Sequence, residues 1–179
     1  MEKKRFEHMY QSSEDISLIL DSYDDIFSVF DPRPYSERAL STDFISECKH
    51  ASADKKGRIN LKLFVPKSKR EPADEIKIKK RMKEHFNHHA NLERKEIDKE
   101  NLVGFNWFIA GCFLIVVTAI FLDVENLGLK ILVNLAHPGG WFFLWEGMGK
   151  LLLNRKEKHS NYHFYKKMND AIVSFGNGK

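Results

Sequence analysis

The pattern of apolar and polar residues separates a charged first part of the chain from an apolar second part. Residues 102–122 form an unbroken apolar run, and residues 127–145 form a second run that polar residues interrupt. At 1.5 Å per residue, the first run makes a helix of about 31 Å, which matches the hydrocarbon core of a bilayer. The first run therefore predicts a transmembrane helix.

The second apolar run permits two interpretations, because Asn134, His137 and a Pro-Gly-Gly sequence at 138–140 interrupt it. It forms a kinked span that returns to the first side of the membrane, or it breaks at the proline. In the second case, residues 141–153 lie along the interface as an amphipathic helix. Basic residues lie before the first run and after the second, whereas the only charged residues of the connector 123–126 are acidic. This distribution favours the second span, with both termini in the cytoplasm.

The charged part has the pattern of helices and one strand. Apolar residues at helical spacing over residues 12–30 predict a helix that ends at the prolines of residues 31–34, and residues 41–50 predict a second helix. Residues 58–65 alternate between apolar and polar, as in a half-buried strand. From about residue 73 a long charged helix is expected to run straight into the first span.

The end of the chain supplies a further helix and strand. Residues 162–168 predict a helix and residues 171–175 a short strand. A single strand is not stable alone, so this strand is expected to pair with residues 58–65. The predicted fold class is therefore a membrane α-helical hairpin of two transmembrane helices with a small cytoplasmic α+β domain built from both chain ends. Its expected parts are a helix and strand region (1–72), a stalk helix (73–101), the membrane hairpin (102–153) and a cytoplasmic tail (154–179).

Composition excludes several classes of function. The formal net charge is only +4 and both signs alternate along the chain, so no nucleic-acid partner is expected. Cys48 and Cys112 provide no disulfide framework, as is usual in a reducing compartment. Motifs for a nucleophile elbow, a phosphate loop or a dinucleotide site are absent, so neither an enzymatic activity nor a cofactor is predicted.

Polar residues inside the apolar runs are candidate functional residues. They are Asn106 and Thr118 in the first run, and Asn134 and His137 in the second. An ionisable group at membrane depth is costly, so His137 is a functional candidate. Alternatively, His137 or Asn134 satisfies backbone carbonyls that the neighbouring proline leaves free.

The sequence DPRPYSER at residues 31–38 is the candidate partner-binding element. Its prolines make it extended and rigid, and Asp31, Arg33, Tyr35 and Arg38 offer charged and hydrogen-bonding groups. The alternative is a structural connector that packs its tyrosine on the domain.

Two histidines of the stalk, His85 and His89, are separated by four residues and lie on one face of the predicted helix. Two imidazoles placed in this way can bind a divalent metal, but no third ligand with motif spacing accompanies them. No metal site is therefore predicted, and the alternative is a pair of polar residues at a self-association seam.

Three stretches, residues 26–44, 85–97 and 141–165, together with the order of the predicted elements, carry a resemblance to a known family. The chain resembles a family of small uncharacterised bacterial two-span inner-membrane proteins. The resemblance implies a location in the inner, cytoplasmic membrane. It implies no activity and no site residues.

These features predict a non-enzymatic membrane anchor or subunit that presents a small cytoplasmic interaction domain and forms an oligomer. The expected partners are the lipid bilayer, and the protein itself or another membrane or cytoplasmic protein. The first alternative is a pore-forming effector triggered through its cytoplasmic domain, with Asn106, Thr118, Asn134 and His137 facing the lumen. A membrane enzyme that uses His137 with Glu146 or Asp123 is a less favoured alternative.

Overall fold

Three strands and four helices make up the described part of the chain, which in this computed structural model comprises residues 15–55, 57–121, 123, 125–152 and 155–178. The elements are β1 (Asp15–Ile19), α1 (Thr42–Ser52), β2 (Asn60–Pro66), α2 (Pro72–Ile120), α3 (Leu127–Leu152), α4 (Arg155–Asn169) and β3 (Ile172–Gly178). The chain divides into two compact units. We call the residues up to 91 together with those from 162 onwards the α/β unit, and residues 92–161 the helix unit.

The first predicted helix is wrong, because the chain forms a strand and a short turn there. Residues 15–19 are β1, and Tyr23–Ile26 form a 3-10 turn; the expected helix start before residue 15 lies outside the described residues. Ser22 begins the turn: its hydroxyl accepts a hydrogen bond from the Asp24 N–H, and its own N–H donates to the Asp25 carboxylate. This capping arrangement ends the strand and prevents the apolar spacing from continuing as a helix.

The three strands form one parallel sheet in the order β1-β2-β3. The central strand β2 pairs Leu61 with Val173 and Leu63 with Phe175, so the predicted pairing of the two chain regions is confirmed. Parallel neighbours need long crossover connections. The segment with α1 connects β1 to β2, and the whole stretch from α2 to α4 connects β2 to β3.

The core of the α/β unit lies against one face of the sheet. The side chains of Leu61, Leu63 and Val65 on β2 are fully buried. Three helices cover them, and the apolar stripe predicted for the long helix is confirmed. The buried helical residues are Phe44 and Cys48 of α1, Ile78, Met82 and Phe86 of α2, and Phe164 and Met168 of α4.

The long helix α2 is continuous from Pro72 to Ile120, as the sequence predicts. Proline suits the first helical position because the N–H it lacks would have no partner there. Asp74 and Glu75 in the first turn complement the positive end of the helix dipole. The residues between this turn and Gly104 contain neither proline nor glycine, so nothing interrupts the helix before its apolar half.

The fold class predicted from the sequence is wrong in its membrane part. Among the helices of the described residues, only α2 contains an 18-residue stretch long and apolar enough to cross a membrane. The helix α3 is long enough, but Lys130, Asn134, His137 and its glycines dilute its apolar character. The alternative break at Pro138 is not found either, because α3 continues through it. A hairpin of two transmembrane helices is therefore not shown.

Glycines bring α2 and α3 into close antiparallel contact within the helix unit. A Cβ atom added to Gly111 would lie 2.5 Å from the Leu144 nitrogen, and one added to Gly147 would lie 2.4 Å from the Phe108 nitrogen. Both neighbours are backbone atoms, which cannot move aside as a flexible side chain can. Only glycine fits at these positions, and the two helices pack backbone to backbone.

Candidate functional site

A polar pair joins the two helices of the helix unit. The Nδ1 atom of His137 lies 2.9 Å from the Oγ1 atom of Thr118, and the Thr118 hydroxyl also donates to the Ile115 carbonyl at 3.0 Å. With the hydroxyl proton in that second bond, the contact suits the His137 tautomer that carries its hydrogen on Nδ1 and donates it to Thr118. The pair satisfies groups that would otherwise be unpaired between two apolar helices.

The other two polar candidates lie elsewhere. Asn106 and Asn134 are both exposed on the surface of the helix unit, whereas Thr118 is buried. The four residues that the sequence groups together therefore divide into one bonded pair and two separate surface amides. The pore that they were expected to line stays a prediction.

Glu146, one of the two acids expected to act with His137, lies apart from it on α3. Glu146 lies nine residues further along α3, about 13 Å along the helix. Its carboxylate pairs with Lys150 at 2.8 Å, and His137 uses its Nδ1 atom for Thr118. The membrane-enzyme alternative gains no geometric support from these residues.

The surface of the helix unit is the most unusual feature of the described residues. Large apolar side chains are exposed along both helices, among them Leu102, Ile109, Phe113, Ile120, Leu132, Leu135, Phe142 and Trp145. Soluble monomers rarely expose contiguous apolar patches above a few hundred Å². A surface of this kind marks contact with lipid or with another protein. We take this apolar surface as the candidate functional site.

The candidate partner-binding element forms a tightly held loop in the α/β unit, over residues 28–39. The Asp31 carboxylate accepts hydrogen bonds from the Ala39 N–H at 2.7 Å and from the backbone and guanidinium groups of Arg33. The Arg33 guanidinium and the two backbone N–H groups hold the pKa of Asp31 well below its usual range. Asp31 and Arg33 thus hold the loop in shape, which is the structural role considered as the alternative.

Arg38 and Tyr35 fasten the same loop to the body of the unit. The guanidinium of Arg38 donates to the Ser28 carbonyl at 3.1 Å and pairs with Asp24 at 2.5 Å. The ring of Tyr35 stacks on Phe27 with the centroids 5.3 Å apart. A shallow cavity of about 240 Å³ lies beside them, lined by Arg33, Pro34, Tyr35, Arg38, Asp74 and Lys77. All three cations of this lining already pair with carboxylates, so the cavity has little free charge to offer a ligand.

The large apolar side chains exposed on this loop belong to two residues that sequence reasoning did not select. Val29 is 77% exposed and Phe30 is 92% exposed, next to the well-fixed Asp31. The sequence pattern assigned Phe30 to the apolar face of a helix, and no other signal identified it. A rigid loop with an aromatic tip is suited to anchoring a protein partner.

His85 and His89 pack together without forming a metal centre. Their ring centroids are 4.3 Å apart, and the His89 ring stacks on Tyr165 at 5.1 Å. Within the described residues, no group of three or more His, Cys, Asp or Glu side chains could hold a metal ion. The Nε2 atom of His85 is buried without a hydrogen-bond partner there.

The half-buried imidazole of His85 predicts a loss of stability in mild acid. Burial, with a smaller contribution from the neighbouring His89, lowers the pKa of His85 to about 4. The unfolded chain binds the proton near pH 6.5, so stability is full above that pH and falls as the pH drops towards 4. The ring is only half-buried and solvent screens part of the shift, so we expect His85→Leu to remove about 1–2 kcal/mol of this pH-dependent loss.

Hydrogen exchange of the α2 amides around residue 85, followed between pH 7 and pH 4.5, measures this effect. His88→Asn is the control, because His88 is exposed on the same helix. If wild type and His85→Leu lost the same stability between pH 7 and pH 4.5, His85 would not be the cause of the loss.

A buried polar network at the carboxyl end of the sheet also escaped the sequence analysis. The Glu75 carboxylate accepts hydrogen bonds from Arg70 at 2.8 Å and 3.2 Å and from the Tyr23 hydroxyl at 3.1 Å. The Tyr23 hydroxyl accepts a hydrogen bond from the Glu71 N–H, and the Arg70 guanidinium also donates one to the Asn177 side chain. Three segments distant in sequence meet here, and no local spacing could indicate that. Each group has a partner, so the network is a structural tie.

The chain was compared with protein-family models, with curated proteins and with solved structures, and nothing matches. The resemblance to a two-span inner-membrane family therefore stays a prediction.

Proposed function

We propose that the protein is an integral protein of the bacterial cytoplasmic membrane, in which the apolar half of α2 is the anchor and the α/β unit is an interaction domain. The observation that supports this most strongly is the exposure of the apolar half of α2. Only 17% of its 18-residue apolar stretch is buried. A core helix of a soluble protein would be mostly buried, whereas a lipid-facing helix exposes its side chains to the acyl chains.

The glycine contacts and the polar pair support the same proposal. Apolar side chains give helices little reason to associate in lipid, where the surroundings are equally apolar. Membrane helices associate instead through small residues and interhelical hydrogen bonds. The apolar half of α2 makes contacts of both kinds, in the glycine contacts at Gly111 and Gly147 and in the bond between Thr118 and His137, as suits an anchor helix in apolar surroundings.

Charge distribution supports a cytoplasmic location for the α/β unit. Lys83, Arg94, Lys95 and Lys99 precede the apolar run, and only Asp123 and Glu125 follow it in the short connector. Basic residues next to a span favour the cytoplasmic side.

The α/β unit supports an interaction role rather than catalysis. Its most exposed apolar side chains include Val29 and Phe30, on a loop that the Asp31 hydrogen bonds hold in place. Preorganisation of this kind lowers the entropy lost on binding a partner. We place the contact with another polypeptide at this loop tip.

A single lysine tests the membrane anchor. Ala110 and Ile76 are both exposed on α2, the first within the apolar run and the second in the α/β unit. A lysine near the centre of a span costs about 3 kcal/mol, and one on a water-exposed face costs almost nothing. We therefore expect Ala110→Lys to lower the fraction of protein that resists alkaline carbonate extraction, and Ile76→Lys to leave it unchanged.

The same extraction gives the opposing result. If wild-type protein is released by carbonate, or if both lysine variants behave as wild type does, the apolar half of α2 is not a membrane anchor. The apolar surface would then belong to a protein interface in water.

A further inference from the structure

Besides the face that packs on α3, the apolar half of α2 has a second stripe of regularly spaced residues. Exposed residues recur at alternating intervals of four and three, at Leu102, Asn106, Ile109, Phe113, Val116 and Ile120. Spacing of this kind keeps a continuous stripe facing one partner helix, as in a left-handed coiled coil. We call these six residues the outer seam.

The outer seam is distinct from the surface that packs on α3. The contacts with α3 involve Gly104, Phe108, Gly111, Ile115 and Thr118, which follow the same alternation two residues out of step. Two residues correspond to about 200° around a helix, so the two stripes lie on opposite sides of α2. The inner stripe has its partner in the same chain, and the outer seam has none among the described residues.

Asn106 is the one polar residue of the outer seam. Its amide both donates and accepts hydrogen bonds, and an amide without partners in hydrocarbon costs several kcal/mol. Identical residues face each other across the twofold axis of a parallel helix dimer, so two Asn106 amides can satisfy each other. A single asparagine at such a position is also what fixes register and two-strandedness in parallel coiled coils.

We propose that the outer seam is the interface of a parallel homodimer, in which α2 of one copy packs on α2 of a second copy with Asn106 opposite Asn106. The second copy is the occupant because only identical helices in register place the self-complementary amides together. The absence of charge from residue 101 to residue 121 removes repulsion between the copies. The lipid part of this argument rests on the proposed membrane anchor.

Disulfide crosslinking between single cysteines tests the seam. In the full-length chain with Cys48→Ala and Cys112→Ala, cysteines are placed at residues 109, 113 and 116 of the outer seam. The controls are Val103→Cys and Ala119→Cys, which are exposed on α2 but about 100° away from the seam. After oxidation with copper phenanthroline, we expect dimer yields at the seam positions that are about fivefold or more above the controls.

A paired substitution tests the amide itself. Asn106→Val is expected to lower the dimer fraction in mild detergent several-fold. Asn134→Val removes another exposed amide, from α3, and should leave the dimer fraction unchanged.

Three results would overturn the dimer: equal crosslinking at seam and control positions, crosslinking at residue 113 alone as in an antiparallel pair, or no crosslinking anywhere. The crosslinking pattern is measured in whichever fraction contains the protein. A dimer found only in the soluble fraction would refute the membrane anchor and support the dimer interface at the outer seam. A monomer that resists extraction would support the anchor and refute the dimer interface.

Discussion

Gly147→Leu is expected to separate α2 from α3. A Cβ atom at this position would lie 2.4 Å from the Phe108 nitrogen and 2.8 Å from the Gly104 carbonyl oxygen, so the backbones themselves must move apart. Overpacking of a close interface costs about 1–3 kcal/mol, and the lost glycine contact and strained polar pair add to this. We expect the helix unit to unfold with a free energy lower by about 3 kcal/mol or more.

Gly149 provides the matched control, because a Cβ atom there would meet nothing within 4 Å. Gly149→Ala should stabilise the helix by up to about 1 kcal/mol, since alanine has the higher helix propensity, whereas Gly147→Ala should destabilise it. All three tryptophans, at residues 107, 141 and 145, lie in the helix unit, so their fluorescence during denaturant unfolding reports on that unit alone. A stabilising Gly147→Ala would show that the helices are not in close contact.

Arg70→Met is expected to destabilise the α/β unit by about 3 kcal/mol at pH 7, because it leaves the buried Glu75 carboxylate with only the Tyr23 hydroxyl. Removing the charge of Glu75 while Arg70 remains is expected to cost less stability. The Arg70 side chain is 25% exposed against 10% for Glu75, so an unpaired guanidinium can turn to water. We therefore expect Glu75→Gln to cost less than Arg70→Met, and Arg70→Met with Glu75→Gln to recover much of the loss.

The stability difference between wild type and Arg70→Met is expected to depend on pH, in a direction that the pKa of Glu75 sets. Burial raises the pKa of Glu75, but the hydrogen bonds from Arg70 and Tyr23 outweigh it, and the net pKa is lowered. In wild type this pair contributes stability above the pKa of the unfolded carboxyl, and the contribution is lost as the pH falls. In Arg70→Met the carboxyl protonates more readily, so the deficit should shrink between pH 7 and pH 4. Hydrogen exchange of the β2 and β3 amides measures both effects, and a deficit that grows in acid would contradict them.

Where local spacing and the final environment agree, the sequence predicted the element correctly. The alternation around Leu61 and Leu63 indicated β2, and the stripe at Ile78, Met82 and Phe86 indicated the buried face of α2. The pairing of β2 with β3 followed from the need of one strand for another. The first two inferences depend on a period that only one kind of element has.

The first helix was mispredicted because its apolar residues satisfy two periods at once. Ile16 and Leu20 are four residues apart, which suits a helix, and they are also an even number apart, which suits a strand. Pairing with β2, a contact across more than forty residues, decides for the strand. The spacing of residues within this segment cannot indicate that contact.

The candidate sites show the same limit. The polar residues in the apolar runs were correctly seen as unusual, but only the structure pairs Thr118 with His137 and leaves Asn106 on the opposite side of α2. In the loop of residues 28–39, the charged residues drew attention, although they are the supports and Phe30 is the exposed tip. Which residue supports and which is presented depends on tertiary contacts.

The environment of α2 in a bilayer is tested most directly by spin-label accessibility in proteoliposomes. One nitroxide is placed at Ala110, away from the outer seam, and another at Ile76 on the same helix. We predict that the label at residue 110 is accessible to oxygen and shielded from a water-soluble nickel chelate, while the label at residue 76 is accessible to the chelate. Equal access of the chelate to both labels would contradict the membrane anchor.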